Sequence, residues 1–208
     1  MHTTAATGRI FRSRRPIVLA SASPRRRELL ASVGLEFSIN SCKDPEPLPE
    51  PGEAPGDYAL RMAAHKTGEI SVESPDCVII GADTIVTFED VILGKPQDAD
   101  DAVRMLTELS GRTHQVITAC CVYYPHLLQI EGFTVSTDVV MRASRRETLE
   151  AYVATGEPMD KAGAYAIQGI GGFLVERIDG SYSNVVGLPL SDLLDELLER
   201  EVVVPQKG

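Results

Sequence analysis

The 208-residue sequence has no long apolar run, no cysteine pairing pattern and no excess of positive charge, and each absence closes a class of function. No stretch approaches the roughly 18 to 20 apolar residues of a membrane-spanning helix, and the first residues lack the apolar core of a secretory signal. Arg14-Arg15 is followed only by the short run Ile17 to Ala20 before Ser21, so no twin-arginine leader is expected. Met1 to Arg27 contains seven arginines and no acid, the flavour of a transit peptide, but its last part reads better as strand and helix. A cytoplasmic protein that does not contact membranes is expected. Cys42, Cys77, Cys120 and Cys121 form no Cys-x-x-Cys pair and have no histidine at zinc-ligand spacing, so they read as buried free thiols. A net charge of -10 argues against a nucleic-acid groove or an anionic membrane partner, both of which want a basic face. Any basic cluster then serves something small. Repeats, heptads and low-complexity tracts are also missing. What is present is an ordinary globular composition, 43% hydrophobic, enough for one domain with a full core.

The most informative stretch is Cys77-Val78-Ile79-Ile80-Gly81-Ala82-Asp83-Thr84-Ile85-Val86, an apolar β-branched run that leads into a carboxylate and a hydroxyl. Such a run, without helical period, reads as a buried strand, and Gly81 beside Ala82 admits another backbone or a ligand. An aspartate at the end of a core strand needs a cation, a proton or a helix terminus as partner. A plain turn cap is the bland alternative. Past a hairpin through Glu89 and Asp90, Lys95 stands between Gly94 and Pro96 near a helix start, which sets a base near the acid.

Residues 1–14 are polar, arginine-rich and patternless, and are expected to form a disordered tail before a single domain over 15–204. Pro16 to Ala20 reads as a short strand, turned by Ser21-Ala22-Ser23-Pro24 into a helix to about Ser32, with Ser23 as N-cap and Pro24 first. The first turn, Arg25-Arg26-Arg27, stacks positive charge on the positive end of the helix dipole. Strand, serine loop and helix N-terminus make a phosphate cradle, with the Ser21 and Ser23 hydroxyls and the arginines as donors. The alternative is a solvated arginine face. A loop from Cys42 to Gly56, rich in Pro, Glu and Gly, carries Asp44, Glu46, Glu50 and Glu53. The next helix, from an Asp57 cap to about Ile70, has an apolar stripe of Ala59, Met62, Ala63 and Ile70 on which Lys66 falls. That lysine either snorkels to the surface or meets phosphate.

Further on, Asp98 caps a helix with Ala102, Val103, Leu106 and Leu109 on one face. Thr113 to Tyr124 and Ile130 to Met141 read as an antiparallel pair, and Ser144-Arg145-Arg146-Glu147 as a capping box opening a helix to about Thr155. The segment Asp160 to Gly169 sets Asp160, Lys161 and Gln168 among small residues. Gly169-Ile170-Gly171-Gly172 reads as a turn, since a strand over Phe173 to Ile178 follows it rather than a helix. A strand over Ser183 to Val186, an amphipathic helix from Ser191 to about Arg200 and a frayed end after Val204 complete the chain. The alternation of strands and helices predicts an α/β layer fold with a mixed sheet.

Five blocks, in order, resemble one family over Ile17 to about Leu198: Leu19 to Arg26, Gly81 to Thr84, Gly94 to Pro96, Leu109 to His114, and Asp160 to Tyr165. The family is the Maf-type nucleoside triphosphate pyrophosphatases, once described as septum-formation inhibitors. The resemblance implies an elongated mixed α/β sheet flanked by helices, two lobes around a cleft, similar to the inosine triphosphatase-like enzymes. It also implies hydrolysis of a nucleoside triphosphate to monophosphate and pyrophosphate, a divalent cation (Mg²⁺ or Mn²⁺) and a homodimer. On this resemblance Asp83 looks like the general base or metal-positioned acid. Ser21, Arg25, Lys66 and Lys95 look like the triphosphate clamp, with Ser23, Arg26 and Lys161 as further binding residues. The family's acid pair after the first helix corresponds to Asp44-Pro45-Glu46-Pro47, which makes Glu46 a metal ligand with Asp83. Its prolines and missing second acid depart from the family pattern.

The ending Ala166-Ile167-Gln168-Gly169 resembles the branch acting on dTTP and UTP rather than the one acting on 7-methyl-GTP, and Arg25 and Thr84 go with that branch. An amide offers one acceptor and two donors, which suits the edge of uracil or thymine. A backbone-capping amide is the alternative. Two other functions stay open: a nucleotide-binding regulator of septum formation that does not hydrolyse, and a pyrophosphatase of modified purine nucleotides. Against the first stands Asp83, whose charge opposes triphosphate binding unless a metal or proton offsets it.

Overall fold

A long central strand, β4 (Val78–Phe88), carries different partners on its two faces and so decides where the site lies. The computed structural model describes residues 10–89 and 91–206. One edge of β4 pairs in parallel with β2 (Ile17–Leu19), which pairs in parallel with β3 (Ser38–Ile39). The other edge pairs antiparallel with β6 (Thr113–Tyr124), followed by β7 (Gln129–Met141) and β8 (Val175–Asp179). Short β5 (Val91–Leu93) folds back on the end of β4. The result is a mixed sheet of order β3-β2-β4-β6-β7-β8, flanked by helices, as the alternating pattern predicts.

Successive strand side chains point to opposite faces, and β4 uses this twice. Its odd-numbered face is covered by α2 (Pro55–Glu73): Ile79 packs with Ile70, and Ile85 with Ala59 and Ala63. Gly81 permits this approach, since a Cβ there would lie 2.9 Å from the Ala63 carbonyl and closer still to the Thr67 hydroxyl. The even-numbered face divides between two cores. Val78, Ile80 and Ala82 join Leu30 of α1 (Pro24–Ser32) and Leu193 and Leu197 of α6 (Leu190–Glu199). Val86 and Phe88 join Leu106 and Leu109 of α3 (Ala99–Leu109) and Leu149 of α4 (Arg146–Val153). Between the two cores stands Thr84, opposite Thr118 of β6, with their hydroxyls 3.0 Å apart. A polar gap therefore opens at Thr84, where the two cores part; Asp83 lies in the middle of β4 rather than at the strand end expected, and its side chain turns to the opposite face, towards α2.

Several expectations are corrected. Phe11–Ser13 forms β1, antiparallel to β9 (Val203–Pro205), and Phe11 packs on the α1 and α6 core; apolar burial thus orders part of the expected tail and holds the end expected to fray. Residues 1–9 of that tail, and Asp90 of the hairpin, lie outside the described residues. The α2 helix begins at Pro55, not at an Asp57 cap, because proline suits a first helical position. The stretch read as a strand over Ser183 to Val186 is the short helix α5 (Tyr182–Val186). Ser181 caps it, accepting from Asn184 N, and the buried Asn184 amide donates to Val116 O at 3.0 Å and Thr137 Oγ1 at 2.9 Å. The capping box at Ser144 is not formed: Arg145 is the N-cap, without a side-chain bond, while Ser144 Oγ donates to the Arg142 carbonyl. Phe173 belongs to a 3-10 turn over Ile170–Leu174, and β8 starts only at Val175.

Candidate active site

The gap at Thr84 widens into a cleft of about 790 Å³, and all eleven residues singled out from the sequence line it: Ser21, Ser23, Arg25, Arg26, Glu46, Lys66, Asp83, Thr84, Lys95, Lys161 and Gln168. One wall starts where β2 runs through Ser21 into α1. Ser23 caps that helix as expected, its hydroxyl accepting from Arg26 N, and Ser23 N donates to Ser21 Oγ at 3.2 Å. The Arg26 fork is tied down at three points: Nε donates to the Gly187 carbonyl at 2.8 Å, one terminal nitrogen to Ser21 Oγ at 3.2 Å, and the other to Thr84 Oγ1 at 3.0 Å. Burial pushes this guanidinium below its usual pKa, against the opposing pull of Asp83. Arg25, one residue earlier, makes no ion pair among the described residues and stands free at the cleft.

Lys66 reaches from α2 to the carboxylate floor. Its Nζ lies 2.5 Å from Asp83 Oδ1 and 2.8 Å from Glu46 Oε1, so the lysine that fell on an apolar stripe neither snorkels nor waits unpaired for phosphate. Asp83 is 8% exposed, and its charge is compensated by this contact. For Glu46, burial alone would raise the pKa, but the Lys66 hydrogen bond and the charges of Lys66, Lys95 and Arg26 outweigh it and hold the carboxyl below its ordinary value. Lys95 itself is exposed at the mouth and, among the described residues, makes no ion pair.

The opposite wall is irregular backbone over residues 160–168. Lys161 Nζ pairs with Asp160 Oδ1, and Gly163 takes a φ of +68°, a conformation that admits glycine readily. Its α-hydrogen faces Val86, where a Cβ would come within 2.9 Å of Cγ1. Half-buried Gln168 makes no hydrogen bond among the described residues, so it is not the backbone-capping amide of the alternative reading. The wall is braced from behind. Glu157 accepts from Ile170 N at 2.9 Å, Gly171 N at 2.7 Å and Tyr152 Oη at 2.8 Å. His114 Nε2 meets Tyr165 Oη at 2.8 Å, and burial lowers the pKa of this histidine to about 4.

Sequence reading missed this brace, although His114 and Tyr165 both lie in the resemblance blocks; nothing in their spacing pairs them. It also missed a cluster beside the cleft. Cys120 and Cys121 are buried thiols as expected, but half-buried Cys42 lies with His65 and Glu69, all three ligand atoms within 4.8 Å of one another. The i, i+4 spacing of His65 and Glu69 on one helix was the available signal. The cleft offers a cation oxygen donors from Glu46 and Asp83, and beside it Cys42, His65 and Glu69 offer a mixed S, N and O set. No described helix is long and apolar enough to cross a membrane.

Residues 16–200 match the family described as "Maf-like protein". The chain is 50% identical over 191 residues to the "dTTP/UTP pyrophosphatase" of Oleidesulfovibrio alaskensis, covering 91% of this chain and 87% of that one. To the protein of the same description from Geobacter sulfurreducens it is 54% identical over 181 residues, 87% of this chain and 94% of that one. Among solved structures it is similar to a nucleoside-triphosphatase / dITP/XTP pyrophosphatase from Mycobacterium abscessus, at 18% identity and a TM-score of 0.44, covering 89% of this chain and 97% of that one. The family match spans both cores and both walls of the cleft, and the chain belongs to the Maf-like proteins.

Proposed function

We propose that the protein hydrolyses nucleoside triphosphates, dTTP and UTP foremost, to the monophosphate and pyrophosphate. The observation that carries this reading is Asp83 and Glu46 gathered on one ammonium in a cleft walled by five cations and three carboxylates, within a chain of net charge -10. Phosphoanhydride cleavage asks for positioning and charge neutralisation more than for covalent chemistry. Arg25 and Lys95, unpaired among the described residues, are free to bind phosphate oxygens. Ser21 and Ser23 add hydroxyls at the α1 N-terminus, and Arg26 holds Ser21 and Thr84 in place. Asp83 accepts the proton of the attacking water as the α–β anhydride breaks, water oxygen stays on one product, and pyrophosphate leaves. Lys66 offsets both floor carboxylates, so their charge does not repel the substrate.

Glu46 and Asp83 present oxygen donors to a single cationic centre, a donor set that suits a hard divalent ion. They are the residues that would hold Mg²⁺ or Mn²⁺, and such an ion supplies Lewis-acid polarisation and charge neutralisation of phosphate oxygens. Base choice is assigned to Gln168 on its open amide at the cleft, and the dTTP and UTP preference is supported by the descriptions of the two relatives. A cytoplasmic location goes with a nucleotide substrate, and a homodimer with the family resemblance; sedimentation tests the latter. The function is tested by pyrophosphate release from dTTP, UTP, ATP, GTP and 7-methyl-GTP with Mg²⁺ or Mn²⁺. Rapid release from the first two and slow release from the rest is expected. Tight binding of all five without release would leave a nucleotide sensor instead.

A further inference from the structure

We propose that Cys42, His65 and Glu69 form a binding site for a borderline-soft divalent metal ion, zinc by preference, separate from the carboxylates at Lys66. The Cys42 thiol, a His65 ring nitrogen and a Glu69 carboxylate oxygen lie within 4.8 Å of one another. Ligands about 2.0 to 2.3 Å from a tetrahedral zinc are themselves roughly 3.3 to 3.7 Å apart, so small side-chain rotations close the site. His65 and Glu69 are one turn apart on α2 and share a face.

Two further observations point to a ligand. His65 Nε2 is buried and has no hydrogen-bond partner, a state that costs free energy unless something else binds it. The other two groups are already oriented: Cys42 Sγ touches Glu69 Oε2, while Lys43 N donates to Glu69 Oε1 at 3.1 Å, the kind of outer contact that fixes a ligating carboxylate. A thiolate, a carboxylate and a neutral imidazole together balance a dication and leave a fourth position open. Sulfur and imidazole disfavour Mg²⁺ and Ca²⁺. Cys42 lines the cleft and precedes Glu46 by four residues, so a metal here would fasten the segment that carries Glu46 onto α2.

The test is to titrate metal-free full-length protein with Co²⁺ alone and record absorption. Saturation at one equivalent per chain, with a sulfur-to-cobalt charge-transfer band and tetrahedral d–d bands that Zn²⁺ displaces, is expected. Cys42→Ser should abolish the charge-transfer band, and His65→Gln and Glu69→Gln should each weaken binding at least tenfold, with far-ultraviolet circular dichroism unchanged. Glu46→Gln should keep the spectrum. Absence of the band at saturating cobalt, its survival in Cys42→Ser, or its loss in Glu46→Gln would each overturn the assignment. Zinc should also slow amide exchange over residues 42–46 at least tenfold, and unchanged exchange would overturn the fastening of that segment.

Discussion

The wall of the cleft made by β2, α1, α2 and β4 ties most of its polar groups together, Arg25 excepted, whereas the wall made by residues 160–168 leaves Gln168 open and is held from behind. On the first, Arg26 joins Ser21, Thr84 and the Gly187 carbonyl, and Lys66 joins Asp83 and Glu46. Arg26 and Lys66 stand on helices, and Asp83 and Thr84 in the middle of β4, whose cores fix them; Glu46 comes from a loop and is held by Lys66. On the second, the backbone has no regular ladder, and its position depends on Glu157, Tyr152, His114 and Tyr165 in the layer beneath. The difference matches the two tasks proposed for the walls. Charge chemistry needs preorganised groups with little to reorganise, while a base is selected by a few open donors and acceptors set at the right distance.

The largest break in this comparison should come at Lys66. Lys66→Met leaves Asp83, 11% exposed at its side chain, without its cation, and losing one partner of such a pair costs about 3 kcal/mol or more. Adding Asp83→Asn should restore much of that stability, and a denaturant double-mutant cycle measures the coupling. If the two losses simply add, the floor is not organised by this pair.

The brace of the second wall should show in the pH dependence of folding. His114 is 2% exposed, and its native pKa of about 4 lies below the ordinary value of 6.5. Between those values the unfolded chain binds a proton there that the native fold does not. Its stability contribution is therefore whole above pH 6.5 and is lost as pH falls to about 4, by about 3 kcal/mol in total. Urea unfolding of the parent and of His114→Gln across that range checks it: the variant's stability should fall less steeply with acid. Equal slopes would remove His114 as the acid-sensitive brace.

A smaller effect, confined to selectivity, is expected at Gln168. An unsatisfied buried polar group costs about 1 to 3 kcal/mol, or about 5- to 150-fold in a discriminating ratio. Gln168→Glu cannot donate to a base carbonyl and adds negative charge near the triphosphate. It should lower kcat/KM for UTP and flatten the preference over GTP by a factor in that range, with folding unchanged. An unaltered ratio would take Gln168 out of base recognition.

The first wall was far more legible in the sequence than the second. Ser23 before Pro24 and the β-branched run into Asp83 are local signals, and local chemistry fixed those elements. Lys66 stood out because a charge on an apolar stripe needs a reason, but whether phosphate or carboxylate supplied it depended on where β4 lay. The Ser183 to Val186 misreading has the same origin: two valines favour a strand, yet a cap from Ser181 and the buried bonds of Asn184 outweigh that weak preference. Contacts such as His114 with Tyr165, or Cys42 with α2, join distant segments and leave no periodic trace; only the i, i+4 spacing of His65 and Glu69 does.

The central claim is that Asp83 is the proton acceptor of a pyrophosphatase, and the most direct measurement is pyrophosphate release from UTP by Asp83→Asn at saturating nucleotide. The isostere keeps the shape of this side chain in the middle of β4 and removes the basicity, so turnover should drop about 10²- to 10⁴-fold, with UTP binding largely retained by calorimetry. Turnover close to that of the parent would contradict the account.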